Sequence, residues 1–250
     1  MHTSLRLALT LLLGLAAAPA GAANPDALWQ IVHGRCVPDE QTNAAPAPCT
    51  LVDLAHGYAV LKDRDGATQF LLIPTAKVTG IEDAAILKPD APNYFAAAWQ
   101  SHEMVSQRAG HALPRDEVGL AINSAYGRTQ NQLHIHIDCL RPDVVAAVRA
   151  HAAAVGIEWA PFPGKLLDHP YLARRVASAD LSDANPFTLL VDGVSGARAD
   201  MGHWTLVAVP TTIAGAPGFV LLADQLDEAT MDRASGEELQ DHACAIKSPD

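Results

Sequence analysis

Residues 130–139 read Gln-Asn-Gln-Leu-His-Ile-His-Ile-Asp-Cys, and from Leu133 onward apolar and polar side chains alternate. Such alternation predicts a β-strand, because successive side chains of a strand point to opposite faces of its sheet. His134, His136 and Asp138 then share one face. Two imidazoles and a carboxylate in a row indicate a functional surface rather than an ordinary polar strand face. The opposite, core-facing side carries Leu133, Ile135, Ile137 and Cys139.

This histidine row fits two kinds of chemistry. A His-x-His pair with a carboxylate can supply three metal ligands, and a distant His56, His169 or His203 could add another. Alternatively, one imidazole acts as a nucleophile while its neighbours orient it. Side chains rich in hydrogen-bond donors lie just upstream, as a phosphate pocket requires, and they favour the second chemistry. They are Asn123, Arg128, Gln130, Asn131 and Gln132.

The segments around the row predict an α+β fold, because strands that pair locally with few helices between them argue against a doubly wound parallel sheet. Strands are expected at 57–62, 69–73, 117–123, 133–139, 204–209 and 218–222. Helices are expected at 93–109, at 142–156, around 171–175 and after a capping box at Ser235 and Glu238. The hairpins at 57–73 and 204–222 are equally compatible with an internal duplication and with two unrelated hairpins.

The first 22 residues have the order of a secretory signal peptide. A weakly positive start, Met1–Arg6, precedes the apolar run Leu7–Ala18 and the small residues Pro19–Ala23. The apolar run is short for a bilayer span of about 20 residues, so cleavage is favoured over an uncleaved anchor. Both alternatives leave residues 23–250 as a single domain outside the cytoplasm.

Four cysteines in an exported chain predict two disulfides, for which three pairings exist. Cys36 and Cys49 flank a loop rich in Pro, Ala and Asn, which favours a local bridge. That choice leaves Cys139 and Cys244 for each other. A buried free thiol at Cys139 is the alternative.

The formal net charge of −11 excludes a protein that binds the nucleic-acid backbone, which needs a basic surface. It also argues against electrostatic docking on anionic lipid. No nucleic-acid partner is therefore expected. No obligate protein partner is predicted either.

The spacing around the row resembles that of the histidine-triad (HIT) superfamily of nucleotide hydrolases and transferases. The motif of that superfamily is His-φ-His-φ-His-φ-φ, with a Gln four residues before the first His and an Asn seven before that Gln. Gln130 precedes His134 by four residues, and Asn123 precedes Gln130 by seven. The chain departs from the motif at Asp138, which replaces the third His, and at Lys77, which replaces a His three residues after a strand-ending Pro.

Within this superfamily the chain is most similar to the bacterial CDP-diacylglycerol pyrophosphatase family. The similarity covers nearly all of the exported part, including the four cysteines. The segments that carry it are 120–131, 134–139, 141–144, 171–175, 219–223 and 233–242.

This resemblance implies a HIT-like antiparallel sheet with helices packed on one side. The motif would lie in residues 50–145, and residues 146–250, with the C-terminal hairpin, would form a second HIT-like half. The implied reaction is hydrolysis of CDP-diacylglycerol to CMP and phosphatidate, without a metal or cofactor. It would take place at the inner membrane surface on the periplasmic side, or in the periplasm after signal cleavage.

The resemblance also implies residue roles. His136 would attack the α-phosphorus and form a CMP–histidine intermediate, while His134 would hold the phosphate and orient His136. Donors to the phosphate oxygens would be Asn123, Gln130 and Asn131. Because a phosphate monoester with a pKa of about 6 leaves without protonation, Asp138 is expected to orient the row or the attacking water.

A diphosphate substrate requires local positive potential in this acidic chain. Arg174 and Arg175 either grip the diphosphate or form a solvated helix face, and Lys77 pairs with phosphate, pairs with Asp138 or lies on the surface. The expectation is a small electropositive pocket at the row, built from the imidazoles and from Lys77, Arg128, Arg174 and Arg175.

Three other functions remain open at this point. The first is a HIT-type hydrolase of water-soluble nucleotides. The second is a metal-binding periplasmic protein that uses His134, His136 and Asp138. The third is a protein that binds a nucleotide-lipid without turnover.

Overall fold

A computed structural model describes residues 24–245, which form one nine-stranded antiparallel sheet. The strand order is β1-β2-β3-β5-β4-β8-β9-β7-β6. The predicted signal or anchor at 1–22 lies outside the described residues. The strands are β1 (Leu51–Asp53), β2 (Tyr58–Lys62), β3 (Phe70–Pro74), β4 (Val118–Ile122), β5 (Ile135–Cys139), β6 (Ala160–Pro161), β7 (Leu172–Val176), β8 (Trp204–Ile213) and β9 (Ala216–Gln225).

Six α-helices accompany the sheet in the described part of the chain. They are α1 (Ala27–Ile31), α2 (Val37–Asn43), α3 (Tyr94–Gln100), α4 (Glu103–Ala109), α5 (Pro142–His151) and α6 (Pro186–Gly193). The single helix expected at 93–109 is broken between α3 and α4. The backbone N–H groups of Ser101 and His102 donate to the carbonyls three residues earlier, which tightens the turn and ends α3.

Helices cover both faces of the sheet, so the expectation of helices on one side is wrong. The face that carries Ile135 and Ile137 packs against α3, α4 and α6 in the largest core cluster. On the opposite face, α1 packs over β2 and β3, and α5 packs over β4 and β8. Both faces are apolar along most of the sheet, and each therefore requires cover. The histidine row lies between the two helical patches of the second face.

Two further expectations about helices are corrected. Residues 172–176 form the strand β7 instead of a helix, because they pair with β9 along their whole length. The segment after Ser235 forms only a 3₁₀ turn, Gly236–Leu239. The Ser235 hydroxyl does not cap this turn, and it donates to Asn123 Oδ1 at 3.2 Å instead.

Both predicted disulfides are present. Cys36 and Cys49 have Cα atoms 5.6 Å apart, and Cys139 and Cys244 have theirs 5.3 Å apart. The second bridge joins the C-terminal segment to the end of β5. Between residues 24 and 245, none of the helices combines the length and the apolar character that crossing a bilayer requires.

The sheet contains the same arrangement twice. The order β3-β5-β4 recurs as β7-β9-β8, and β4 and β8 pair antiparallel at the centre, with Ala121 opposite Val207. A half-turn about an axis through that pair superimposes the two registers. It relates 70–74 to 172–176, 118–122 to 204–208 and 135–139 to 221–225.

The helices follow the same symmetry. Asn93 caps α3 by accepting from the Ala96 N–H, and Asn185 caps α6 by accepting from the Phe187 N–H. Phe95 and Phe187, each the second residue of its helix, meet edge to face with ring centroids 5.1 Å apart. The two halves therefore pack against each other through equivalent side chains.

Candidate active site

His136 and Asp138 lie on one face of β5, as the alternation requires, and His134 directly precedes that strand. His134, His136 and Asp138 are all buried, at 7%, 4% and 0% exposure. Leu71 of β3 and Ala121 of β4 pair with His136 from either side. Their small or apolar side chains leave the imidazole without a competing polar strand neighbour.

The two ring nitrogens of His136 have different surroundings. Nδ1 lies 3.3 Å from Glu237 Oε1 and 2.5 Å from the amide nitrogen of Gln69, which donates. Nε2 is buried and has no hydrogen-bond partner among the described residues. A protonated Nδ1 would donate to the Glu237 carboxylate, as in the orienting pair of a catalytic triad. In that tautomer Nε2 carries a free lone pair.

Burial lowers the pKa of His136 to about 3. Glu237 opposes that shift, whereas His134 and His242 add to it. The ring is therefore neutral at physiological pH. A neutral, oriented imidazole with one free nitrogen has the properties of a nucleophile.

Glu237 comes from the 3₁₀ turn Gly236–Leu239, and Asn123 fixes its position. Asn123 Nδ2 donates to Glu237 Oε2 at 2.9 Å, and the Glu237 N–H donates to Asn123 Oδ1 at 3.1 Å. Burial raises the pKa of Glu237, but hydrogen bonds from His242, Asn123 and Gln69 together with the field of His136 hold it well below the ordinary range. Glu237 is therefore a permanent carboxylate.

His242 bridges two carboxylates at the end of the row. Its Nδ1 lies 3.0 Å from Asp138 Oδ2, and its Nε2 lies 3.3 Å from Glu237 Oε1. Thr68 Oγ1 donates to the other oxygen of Asp138 at 2.6 Å. Hydrogen bonds to Asp138 and then to Glu237 raise the pKa of His242 to about 10. The ring is thus an imidazolium near neutral pH.

His134 is fixed in the same face. Its Nδ1 lies 2.7 Å from the carbonyl of Gln132, and since a carbonyl only accepts, the proton is on Nδ1. Its ring centroid is 4.9 Å from that of His136. Burial lowers the pKa of His134, so this ring is also neutral near pH 7.

A family model described as CDP-diacylglycerol pyrophosphatase matches residues 23–248. The chain belongs to the CDP-diacylglycerol pyrophosphatase family. A relative from Yersinia pestis with the same name is 46% identical over 224 residues, which are 90% of this chain and 86% of the relative. The family that the sequence motifs indicated is confirmed.

Of the phosphate donors expected from the family resemblance, Asn123 alone contacts the cluster around His136. Gln130 instead accepts from the Leu28 N–H at 3.1 Å and donates to the Asn24 carbonyl at 3.0 Å. The Asn131 N–H donates to the Pro25 carbonyl. These two residues hold the start of the described chain against the loop that precedes β5.

The expected cations do not gather at the row of this CDP-diacylglycerol pyrophosphatase family member. Arg128 is buried against Glu82, with Nη1 2.7 Å from Oε2, although its field reaches His134. Lys77 lies 3.1 Å from Asp26 and does not pair with Asp138. The positive charge at the row comes from His242 instead.

Arg174 and Arg175 lie on β7, four strands from β5, or about 19 Å at the usual strand spacing. Arg174 also points to the opposite face of the sheet, where its guanidinium lies 5.8 Å from the centre of the Trp159 ring. Within residues 24–245 they share no contact with the cluster around His136.

Sequence reasoning missed Gln69, Glu237 and His242. Gln69 immediately precedes β3, and the other two lie near the C-terminus, so no local pattern links them to the row. One signal was present for His242. The predicted bridge between Cys139 and Cys244 already brings residue 242 close to Asp138.

Proposed function

We propose that the chain hydrolyses CDP-diacylglycerol to CMP and phosphatidate, with His136 Nε2 as the nucleophile. One observation carries this proposal: a buried, neutral imidazole has its Nδ1 3.3 Å from Glu237 while its Nε2 is free of partners in the described chain. Family membership supplies the substrate class, since the matching family model and the Yersinia pestis relative bear the name of this activity.

In the first step, the Nε2 lone pair attacks the phosphorus bonded to cytidine. A P–N bond forms while the P–O bond to phosphatidate breaks, which gives a CMP–histidine intermediate. The Nδ1 proton stays between His136 and Glu237, so the carboxylate offsets the charge that develops on the ring. Phosphatidate is a phosphate monoester with a second pKa of about 6, and it leaves without a general acid.

In the second step, water attacks the same phosphorus. The new P–O bond replaces the P–N bond, one proton goes to solvent and His136 regains its lone pair. CMP is released. His134 lies beside the reacting ring and restricts the orientation of that ring.

Asp138 and His242 act as positioning residues in this scheme. The imidazolium of His242 lies between Asp138 and Glu237 and offsets part of their negative charge. Without it, two carboxylates would face an anionic diphosphate. Asp138 thereby has a role that differs from that of a third triad histidine, since it holds the histidine that comes from the C-terminal segment.

We also propose that the architecture is HIT-like, with one HIT-like unit in each half of the sheet. The repeated order β3-β5-β4 and β7-β9-β8, the antiparallel contact of β4 with β8 and the equivalent Phe95 and Phe187 support two related units.

The proposed location is the periplasmic face of the inner membrane, or the periplasm after cleavage of residues 1–22. Two disulfides support an oxidising compartment. The chain enters the described structure at Asn24, which Gln130 binds just before the histidine row. A retained anchor would therefore hold the candidate site close to the lipid surface.

The covalent step can be tested with CDP-diacylglycerol in micelles, radiolabelled at the phosphorus bonded to cytidine. Rapid quenching is expected to trap acid-labile label on histidine in the wild type and none in His136→Ala. His33→Ala, at an exposed histidine, is the matched control and should keep the label. Turnover without protein-bound label would overturn the covalent mechanism, and label on His136→Ala would overturn the residue assignment.

A second measurement separates the lipid substrate from a soluble one. The wild type should hydrolyse CDP-diacylglycerol micelles with a higher kcat/KM than a water-soluble CDP-alcohol. Activity on the soluble compound with none on the lipid would favour a HIT-type hydrolase of soluble nucleotides.

A further inference from the structure

A second cluster of titratable side chains lies on the β7–β9 half of the sheet. His169 Nδ1 is 2.7 Å from Glu238 Oε1, 3.3 Å from Asp232 Oδ2 and 3.9 Å from Asp224 Oδ2. The Tyr171 hydroxyl donates to Glu238 Oε1 at 2.8 Å. The proposed reaction uses none of these groups.

The half-turn that relates the two halves of the sheet also relates this cluster to the candidate active site. Asp224 occupies the position of Asp138, and Tyr171 that of Gln69. Both sites receive a glutamate from the same 3₁₀ turn, since Glu237 reaches His136 and Glu238 reaches His169.

The position of the nucleophile differs between the two sites. Leu222 is the symmetry equivalent of His136, so the second cluster has no imidazole where the proposed reaction needs one. Polar side chains surround Leu222, but a leucine cannot form the covalent intermediate. The second cluster therefore favours ligand binding over a second copy of the reaction.

Charge in this second cluster is poorly balanced. Three carboxylates converge on one imidazole, and between residues 24 and 245 no other basic side chain forms an ion pair with them. Asp224 is 2% exposed, and its Oδ2, which faces His169, has no hydrogen-bond partner. Burying a carboxylate without a compensating charge is strongly unfavourable. The unpartnered oxygen points into the cluster, where a cation would satisfy it.

The distances suit a metal ion. Ligand atoms of His169, Asp224 and Glu238 lie within 4.8 Å of one another. Two ligands of a tetrahedral zinc ion with bonds of about 2.0–2.2 Å are roughly 3.4 Å apart. The separations of 2.7, 3.3 and 3.9 Å from His169 Nδ1 bracket that value.

We propose that His169, Asp224 and Glu238 bind one divalent transition-metal ion, with Zn²⁺ preferred, and that Asp232 lies beside this site. One imidazole nitrogen combined with carboxylate oxygens fits Zn²⁺, and Mn²⁺ is its closest competitor, whereas Ca²⁺ and Mg²⁺ prefer oxygen ligands alone. The site differs in place and residues from the histidine row, which was the metal site considered from sequence.

The role of such an ion is structural. Asp224 comes from β9, while Asp232 and Glu238 flank the segment that carries Glu237. An ion held between Asp224 and Glu238 would fix that segment to the sheet. It would thereby keep Glu237 close to His136, although the ion itself takes no part in the reaction.

The test uses the full exported chain, stripped with a chelator and titrated with Zn²⁺ alone. Calorimetry and metal analysis after dialysis are expected to give one Zn²⁺ per chain. The melting temperature should rise by about 5–10 °C at a hundredfold excess over Kd. Asp224→Asn should lose both effects, and Asp200→Asn, at an exposed aspartate, should keep them.

Two further variants keep the result decisive. His169→Gln replaces the half-buried imidazole and should also abolish stoichiometric binding, so it serves if Asp224→Asn does not fold. His136→Ala should still bind one Zn²⁺, because the histidine row is not the metal site. A wild type that retains no zinc would overturn the proposal, as would equal binding by Asp224→Asn or loss of binding only in His136→Ala.

Discussion

His242 Nδ1 lies 3.0 Å from Asp138 Oδ2, which joins the C-terminal segment to the face of β5 that carries the histidine row. The contact explains a departure from the triad motif, because a carboxylate in the third position holds an imidazolium that comes from elsewhere in the chain. Four predictions follow from this contact and from those around it.

Asp138→Asn should shift the pH dependence of activity. Its carboxylate is the largest cause that raises the pKa of His242 to about 10. Wild-type activity should therefore persist as pH rises and decline near pH 10, where the imidazolium loses its proton. In Asp138→Asn, the decline in kcat/KM should begin at lower pH. Asp65→Asn, at an exposed aspartate, is the control. A variant with the wild-type rate at every pH would show that Asp138 has no role in the reaction.

Stability should fall on acidification because His136 is buried as a neutral ring. Its pKa is about 3 in the folded state against 6.5 for the free side chain. Between those values the unfolded chain binds more protons, so the free energy of unfolding decreases as pH falls below 6.5. At pH 4.5 the loss from this group is about 2–3 kcal/mol. Urea unfolding of the wild type and of His136→Gln at pH 7 and 4.5 measures this loss. The same change in the free energy of unfolding between the two pH values in both proteins would contradict the prediction.

Removing the disulfide between Cys139 and Cys244 should impair catalysis more than removing the other one. Cys244 lies two residues after His242 and fixes it beside Asp138. The double variant Cys139→Ser, Cys244→Ser should lose activity, and its alkaline decline in activity should begin at lower pH, as in Asp138→Asn. The matched variant Cys36→Ser, Cys49→Ser should lose stability but keep its pH profile, since that bridge closes a local loop and holds neither His242 nor Glu237. Equal pH profiles in both double variants would refute the positioning role.

Asn123→Ala should lower kcat by about 10- to 100-fold, since each hydrogen bond to a charged group is worth about 1.5–3 kcal/mol. Asn123 both donates to Glu237 and accepts from it. Arg174→Gln should leave kcat and KM for CDP-diacylglycerol within about twofold of the wild type, because Arg174 lies four strands from β5 and points to the opposite face. Kinetics with micelles compare the two, and a large KM increase in Arg174→Gln would return that arginine to the substrate site.

Local patterns in the sequence predicted much of the fold. The alternation in 133–139 determined which side chains of β5 share the face of His136, and the structure has them there. Apolar runs at 57–62, 69–73, 204–209 and 218–222 located β2, β3 and the long hairpin of β8 and β9. The helix expected at 171–175 was wrong because five residues are too few for a period to identify, and pairing with β9 decided their conformation.

The sequence by itself determined that β5 is a strand, that His136 and Asp138 share one of its faces, and that the chain belongs to the CDP-diacylglycerol pyrophosphatase family. The tertiary structure alone decided what surrounds His136, because Gln69 and Glu237 contact it across 67 and 101 residues of chain, and His242 contacts Asp138 across 104. It also placed Arg174 on the far face, and Asp224 with His169 in a second cluster. Periodicity reports only how neighbouring residues point, whereas strand order and burial select which distant side chains meet. The charge states of His136, Glu237 and His242 therefore depend on the tertiary structure.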